Sequence, residues 1–249
     1  MSDATRDEMM IVVAARALAG HRTCFVGIGA PSAAANLARR SHAPGLMLIY
    51  ESGTIGSKPT VLPLSIGDGE LAETADSVVT VPEIFAYWLQ AGRVDVGFLA
   101  AAQIDKFANL NSTVIGPYAH PRVRLPGAGG APEIAAAARE VFVVMKHRRD
   151  AFVEQLEFVT STGFMDGGTA RERSGARGAG PSRVITDLGV LAPDPVTKEL
   201  TLVAVHPGVS VDMARDATAW ALRVAPHVEE TAPATDRELR ALRDLQRHA

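Results

Sequence analysis

Residues 23–53 read TCFVGIGAPSAAANLARRSHAPGLMLIYESG, and this stretch decides the fold. Residues 23–27 form a short apolar run that is typical of a buried strand. A glycine turn follows at 27–29, then an alanine-rich helix at 32–40, and then a second apolar strand at 46–50. A strand, a turn, a helix and a strand together make a βα unit, which predicts a parallel sheet.

Further apolar segments repeat this alternation along the chain. They predict strands at 94–100, 141–145 and 200–205, and helices at 5–20, 82–91, 131–138, 211–221 and 235–248. We therefore expect the α/β class, with an open, mostly parallel sheet flanked by helices. The chain contains no internal repeat, and we expect one domain that spans residues 1–249.

One stretch departs from this pattern. Residues 166–181 are rich in Gly, Arg and Ser and contain almost no large apolar side chain. We expect a mobile surface loop there. Its arginines at 171, 173 and 177 are then solvated, with contact to phosphate groups or to a partner chain as the alternative.

The composition excludes several classes of protein. The chain has 249 residues, of which 47% are hydrophobic, so it can bury a sizeable core, and its net charge of −3 offers no basic surface for nucleic acid. The seven histidines show no metal-ligand spacing, and Cys24 is the only cysteine, which fits a reducing compartment. We find no signal peptide at the N-terminus and no apolar run near the roughly 20 residues of a membrane span. We therefore expect a cytoplasmic protein.

Glu51 is the first candidate for chemistry. It follows the apolar strand at 46–50 directly and precedes Ser52 and Gly53. Open α/β sheets bind ligands at the carboxyl ends of their strands, and a glycine lets backbone or ligand approach closely. A carboxylate there can be a base, a metal ligand or a nucleophile, and a plain turn or capping residue remains the alternative.

A glycine-rich turn at 125–133, LPGAGGAPE, is the second candidate. Its N–H groups can hold an oxyanion or a phosphate, although a plain tight turn fits the same residues. It matches neither the dinucleotide fingerprint nor the Walker loop. The lone Gly-x-Gly at 27–29 is too weak to indicate a nucleotide site.

The third candidate is the polar segment 103–113, which follows the strand at 94–100. Gln103, Asn109 and Asn111 either stabilise a turn through bonds to nearby backbone or line the active cleft.

Five segments in this order resemble the β subunit of family I CoA-transferases. They are CFVGIG at 24–29, LIYESG at 48–53, LPLSIGD at 62–68, QID with NLN at 103–111, and LPGAGGAPEI at 125–134. The resemblance covers nearly the whole chain. The Glu-Ser-Gly form is similar to the glutaconate branch, and within it the chain is most similar to members that act on 3-oxoadipate.

The resemblance implies a mechanism and a partner. Glu51 would be the covalent nucleophile that takes CoA from succinyl-CoA as a glutamyl thioester and passes it to a dicarboxylic 3-oxoacid. The expected oxyanion or CoA contacts are Gly53, Gly127, Gly129, Gly130 and Ala131. The active site would lie between this chain and an α subunit, and the reaction would need no metal and no cofactor beyond the CoA thioester. The alternatives are glutaconate or another dicarboxylate as acceptor, a CoA-thioester or carbon–carbon hydrolase, and a non-catalytic metabolite-binding protein.

Overall fold

The stretch 23–53 folds as the predicted strand, helix and strand, within a ten-stranded sheet. The computed structural model describes residues 4–247, so the predicted end of the last helix at residue 248 lies outside the described residues. The strands are β1 (Thr23–Val26), β2 (Met47–Tyr50), β3 (Thr54–Ile55), β4 (Ser77–Val78), β5 (Val96–Leu99), β6 (Gln103–Ile104), β7 (Leu110–Asn111), β8 (Val114–Ile115), β9 (Val123–Arg124), β10 (Glu140–Val144), β11 (Pro181–Ile185), β12 (Gly189–Pro193), β13 (Leu200–Val205) and β14 (Arg223–Glu230). The helices are α1 (Arg6–Ala17), α2 (Ala30–Arg40), α3 (Gly69–Glu73), α4 (Val81–Glu83), α5 (Ala131–Ala137), α6 (Ala170–Arg173), α7 (Val211–Asp216) and α8 (Asp236–Gln246).

The strand order in the large sheet is β14-β13-β12-β11-β10-β5-β1-β2-β3-β4. The five central strands, from β11 to β2, all pair in parallel, and antiparallel pairs extend the sheet on both sides. At the far end β13 and β14 pair in parallel. The α/β class and the mostly parallel sheet are therefore confirmed.

The central strands are buried on both faces, which explains their continuous apolar sequences. One face packs against α1, α2 and α8, and the other against α5 and the segment that follows α4. Gly97 in β5 allows α5 to lie close to the sheet, because a Cβ there would be 2.4 Å from Cγ2 of Ile134. This close approach places the start of α5 near the carboxyl ends of β1 and β5.

Two elements differ from the prediction. The helix expected at 211–221 ends at Asp216, and the helix expected at 82–91 is α-helical only at Val81–Glu83 and continues as a π-helical turn, Ile84–Leu89. A third element, β14, was not predicted. Its sequence RVAPHVEE is largely exposed and contains Pro226, which a sheet tolerates at an edge strand.

The segment 166–181 also differs in part from the expected surface loop. It contains α6, and Arg171 is buried rather than solvated. The Arg171 guanidinium donates to the backbone oxygens of Ala135, Gly163 and Gly178, at 2.7–2.9 Å, and burial lowers its pKa. The bond to Ala135, together with the bond from the N–H of Gly178 to the oxygen of Ala136 at 2.9 Å, attaches the segment to α5. Its mobility stays a prediction.

No helix within residues 4–247 is long and apolar enough to cross a membrane. Cys24 is fully buried in β1, and burial raises the pKa of its thiol, so this cysteine is an inert core residue as expected.

His147 predicts how the fold responds to acid. The imidazole is buried, its Nε2 lies 2.9 Å from Oγ1 of Thr218, and its ring stacks on Phe152 at 3.9 Å. Burial lowers the pKa of His147 from 6.5 to about 4. Because the unfolded chain binds this proton more readily, stability is lost as the pH falls from 6.5 towards 4, by up to about 3 kcal/mol. Denaturant unfolding at pH 7.5 and pH 5 checks this.

In His147→Gln, which does not titrate, we expect a smaller loss of stability between those two pH values. His120 is exposed, so His120→Gln is the matched control and should keep the wild-type loss. An unchanged pH dependence in His147→Gln would contradict the assignment.

Candidate active site

Glu51 lies in the tight turn between β2 and β3, at the carboxyl end of the parallel strands. The turn is closed by the N–H of Gly53, which donates to the backbone oxygen of Tyr50 at 3.0 Å. The Glu51 side chain is partly buried. Among residues 4–247 no hydrogen bond or ion pair engages its carboxylate, which is therefore available to react.

The Glu51 carboxylate faces the glycine turn before α5. A Cβ added to Gly129 would lie 3.8 Å from Oε2 of Glu51, and one added to Gly130 would lie 3.2 Å from its Cδ. Glu51 and the two glycines line one pocket of about 220 Å³. The residues that line it are Phe25, Val26, Gly27, Ile28, Pro31, Glu51, Ile66, Phe98, Leu99, Ala100, Ala128, Gly129, Gly130, Ala131 and Ile134.

The turn offers two unused donors. The N–H of Ala131 donates to the oxygen of Ala128 at 3.0 Å, whereas the N–H groups of Gly129 and Gly130 find no acceptor among the described residues. Free backbone N–H groups beside a reactive carboxylate are suited to stabilise an oxyanion. The structure therefore brings Glu51, Gly129 and Gly130 together, with Ala131 also lining their pocket.

Gly53 and Gly127 lie elsewhere and shape the backbone. Gly53 has φ +106° and packs against the Val79 carbonyl. Gly127 has φ +105°; its N–H donates to the Ser112 backbone oxygen at 2.8 Å, and its oxygen accepts from the Ser112 hydroxyl at 2.9 Å. Neither lines the Glu51 pocket.

These two glycines form a matched pair for a stability test. Alanine at either position strains the backbone, at a cost of about 2 kcal/mol. In Gly53→Ala the new Cβ would also be 2.0 Å from the Val79 oxygen, whereas Gly127→Ala meets nothing within 4 Å. We expect Gly53→Ala to be less stable than Gly127→Ala by about 1–3 kcal/mol in denaturant unfolding. Equal stabilities of the two variants would contradict this prediction and show that the Gly53 backbone can move away from the Val79 oxygen at little cost.

Gln103, Asn109 and Asn111 do not line this pocket. Asn111 donates to Oε1 of Gln103 at 2.9 Å across the β6–β7 pair, and Asn109 donates to Asp105 at 2.8 Å. All three side chains are buried. Of the two roles left open by the sequence, their bonds match the stabilised turn. Asn109 borders a separate surface pocket near Asp105.

Sequence reasoning undervalued the turn at 27–29 and missed Phe85. Gly27 and Ile28 line the Glu51 pocket, although a lone Gly-x-Gly motif does not predict this. The position of the turn at the end of β1, beside β2, was the available signal. Phe85 packs against Gly130, a contact between distant segments that no local pattern indicates.

The arrangement is suited to acyl transfer. It combines an unengaged carboxylate, two free N–H donors and an apolar lining. Residues 4–247 contain no group of His, Cys, Asp and Glu side chains placed to hold a metal ion.

Comparison with known proteins assigns the class. Residues 7–215 match the family described as Coenzyme A transferase, and the chain belongs to this family.

The relatives narrow the assignment. The chain is 56% identical over 246 residues to the B subunit of 3-oxoadipate CoA-transferase from Pseudomonas knackmussii, a match that covers 99% of this chain and 95% of that protein. It is 37% identical to the B subunit of glutaconate CoA-transferase from Acidaminococcus fermentans, over 92% of this chain and 88% of the relative. The crystal structure of glutaconate coenzyme A-transferase from A. fermentans matches with a TM-score of 0.91 at 31% identity, over 98% of this chain and 95% of that one. The family and the transferase class expected from the sequence are confirmed.

Proposed function

We propose that this chain is the β subunit of an enzyme that moves CoA from succinyl-CoA to 3-oxoadipate through a thioester on Glu51. The observation that carries the proposal is the unengaged Glu51 carboxylate opposite the free N–H groups of Gly129 and Gly130. The 56% identity to one subunit of a 3-oxoadipate CoA-transferase supports the acceptor.

The chemistry balances with groups that the chain and the substrates supply. A carboxylate oxygen of Glu51 attacks the thioester carbonyl of succinyl-CoA, which forms a mixed anhydride and releases the CoA thiolate. The thiolate then attacks the Glu51 carbonyl, which forms the glutamyl thioester and releases succinate. The acceptor carboxylate reverses both steps and leaves with CoA. No atom changes its oxidation state in these steps, so the proposal includes no redox cofactor and no substrate other than the thioester and the acids.

Position and charge stabilisation must supply the rate, because a carboxylate is a weak nucleophile. Each attack places negative charge on a carbonyl oxygen. Gly129 and Gly130 line the pocket next to the Glu51 carboxylate, and their free N–H groups are suited to bind that charge. A single donor of this kind is worth roughly 10²–10³-fold in kcat.

A second, unlike subunit is part of the proposal. A pocket of about 220 Å³ holds the reacting groups but not an acyl-CoA, and each of the two named relatives is one subunit of a larger enzyme. We propose that an α subunit covers this pocket and supplies the groups that bind and select the acid substrate. A cytoplasmic location belongs to the same proposal and rests on the single, buried cysteine.

A glutaconate transferase is the second candidate, because the chain is 37% identical to a polypeptide of such an enzyme. The two candidates share the Glu51 chemistry and differ in the acceptor. A panel of dicarboxylic acids, offered with succinyl-CoA or acetyl-CoA, separates them.

The decisive experiment uses the complex purified with its α subunit. Succinyl-CoA is added without acceptor, the adduct is reduced with borohydride or cleaved with hydroxylamine, and the modified peptide is identified by mass spectrometry. We expect modification at Glu51. Modification at another residue would overturn the proposed role, and free CoA that accumulates without acyl transfer would identify a hydrolase.

A further inference from the structure

The π-helical turn Ile84–Leu89 is a feature that the proposed chemistry does not use. The N–H of Gln90 donates to the oxygen of Phe85 at 2.8 Å, and that of Arg93 to the oxygen of Trp88 at 2.9 Å, both five residues back. Turns of this kind are rare and occur mostly at functional sites. This one lies beside the Glu51 pocket, because its residue Phe85 contacts Gly130.

Phe85, in the first half of the turn, packs directly against Gly130. A Cβ on Gly130 would lie 2.5 Å from Cζ of Phe85 and 3.0 Å from its Cε1, so the ring occupies the space that the missing side chain leaves. The ring also contacts Phe25, with centroids 5.8 Å apart, and Phe25 itself lines the Glu51 pocket. The same Cβ on Gly130 would lie 3.2 Å from Cδ of Glu51, so the Phe85 ring and the Glu51 carboxylate both lie next to Gly130.

Besides the packing of Phe85 on Gly130, a hydrogen bond joins the end of the π-helical turn to α5. Nε2 of Gln90 donates to Oε1 of Glu133 at 3.0 Å, one turn beyond the Gly130 contact. The segment therefore holds the start of α5 at two points. The backbone of Gly130 has φ −82° and ψ −1°, which residues other than glycine adopt in type I turns, so the close approach of the ring, and not the backbone conformation, requires glycine here.

We propose that Phe85 is a positioning residue, whose ring sets the distance between the Gly129–Gly130 N–H groups and the Glu51 carboxylate. This inference rests on the proposed function. A smaller side chain at 85 lets the glycine turn shift relative to Glu51 and weakens stabilisation of the oxyanion. Because the ring does not line the substrate pocket, binding of acyl-CoA is affected little.

The test uses the α/β complex with Phe85→Ala and Phe85→Leu. We expect kcat and the rate of Glu51 thioester formation to fall about 10–100-fold in Phe85→Ala, with an almost unchanged KM for acyl-CoA. Phe158→Ala is the matched control, because Phe158 is also half-buried and stacks on Tyr118 at 5.6 Å, outside the pocket. The control should keep the wild-type kcat.

A double-mutant cycle with Gly130→Ala supplies a readout that a merely structural residue does not move. The methyl group of Gly130→Ala meets the Phe85 ring, so we expect a smaller further loss of kcat when it is added to Phe85→Ala than when it is added to the wild type. Full kcat in Phe85→Ala, or additive losses in the cycle, would overturn the proposal.

Three further outcomes decide between failure of the inference and failure of the proposed function. If Phe85→Ala does not assemble, Phe85→Leu is judged instead, and full kcat in an assembled Phe85→Leu complex overturns the inference. If the wild-type complex forms no thioester on Glu51, the proposed function fails first. If the thioester forms and the Phe85 variants react normally, only the inference fails.

Discussion

Glu51→Gln is expected to lower CoA transfer by at least about 10³-fold, because an amide cannot form the anhydride and the covalent route is lost. The side chain makes no hydrogen bond or ion pair with the described residues, so the fold loses nothing when the charge is removed. The measurement is the steady-state rate of the α/β complex, together with mass spectrometry for the glutamyl thioester. Thermal unfolding should be unchanged.

Two companion variants sharpen this result. Glu51→Asp keeps the carboxylate but withdraws it by about one bond length, which is expected to cost about 10²-fold. Glu73→Gln changes an exposed glutamate at the end of α3, outside the pocket, and should keep the full rate. A Glu51→Gln complex that retains more than a tenth of the wild-type rate would contradict the covalent mechanism.

Glu238→Ala is expected to lower the free energy of unfolding by about 3 kcal/mol, because a buried ion pair loses one partner. The Glu238 carboxylate is buried between α8, α1 and α2. It accepts two hydrogen bonds from Arg16, both at 2.7 Å, one contact from His42 at 2.8 Å, and two from Thr235, which caps α8. Removal of the carboxylate leaves the Arg16 charge unpaired. Denaturant unfolding at pH 7 gives the measurement.

The same carboxylate predicts a second acid transition. Burial raises the pKa of Glu238, but the hydrogen bonds from Arg16 and Thr235 together outweigh burial and lower it to about 2. Its contribution is present above pH 4.5 and is lost as the pH falls towards 2, below the window assigned to His147. Asp244→Ala is the control on the same helix, because its ion pair with Arg247 is exposed and worth little. Equal losses in the two variants would contradict the prediction.

The elements that the sequence predicted are those with a strong local cause. Both strands of the 23–53 unit are short and continuously apolar, because a central parallel strand is buried on both faces. Glu51 stood out because it directly follows such an apolar run, at the carboxyl end of a parallel strand, where open α/β sheets bind ligands. The glycine turn before α5 was visible for a similar reason, since three glycines close to a helix start are uncommon.

The elements that the sequence did not predict depend on partners far along the chain. The apolar spacing of Ile84, Phe85, Trp88 and Leu89 fits an α-helix as well as a π-helix, so the register is set by packing against α5. Arg171 looks like a solvated arginine until the fold brings the backbone oxygens of Gly163, Gly178 and the more distant Ala135 to its guanidinium. Polar composition alone did not distinguish a cleft from a stabilised turn at Asn109 and Asn111.

The exposed strand β14 has a consequence for solubility at high concentration. Its neighbour β13, with the apolar sequence LTLVAV, would otherwise present unpaired backbone groups to other molecules. β14 covers this edge with a strand that is a poor template, because Pro226 lacks an N–H, the pairing is shifted between Leu202 and Ala204, and the strand carries charged residues. β14 therefore leaves the edge of the sheet less able to pair with another chain.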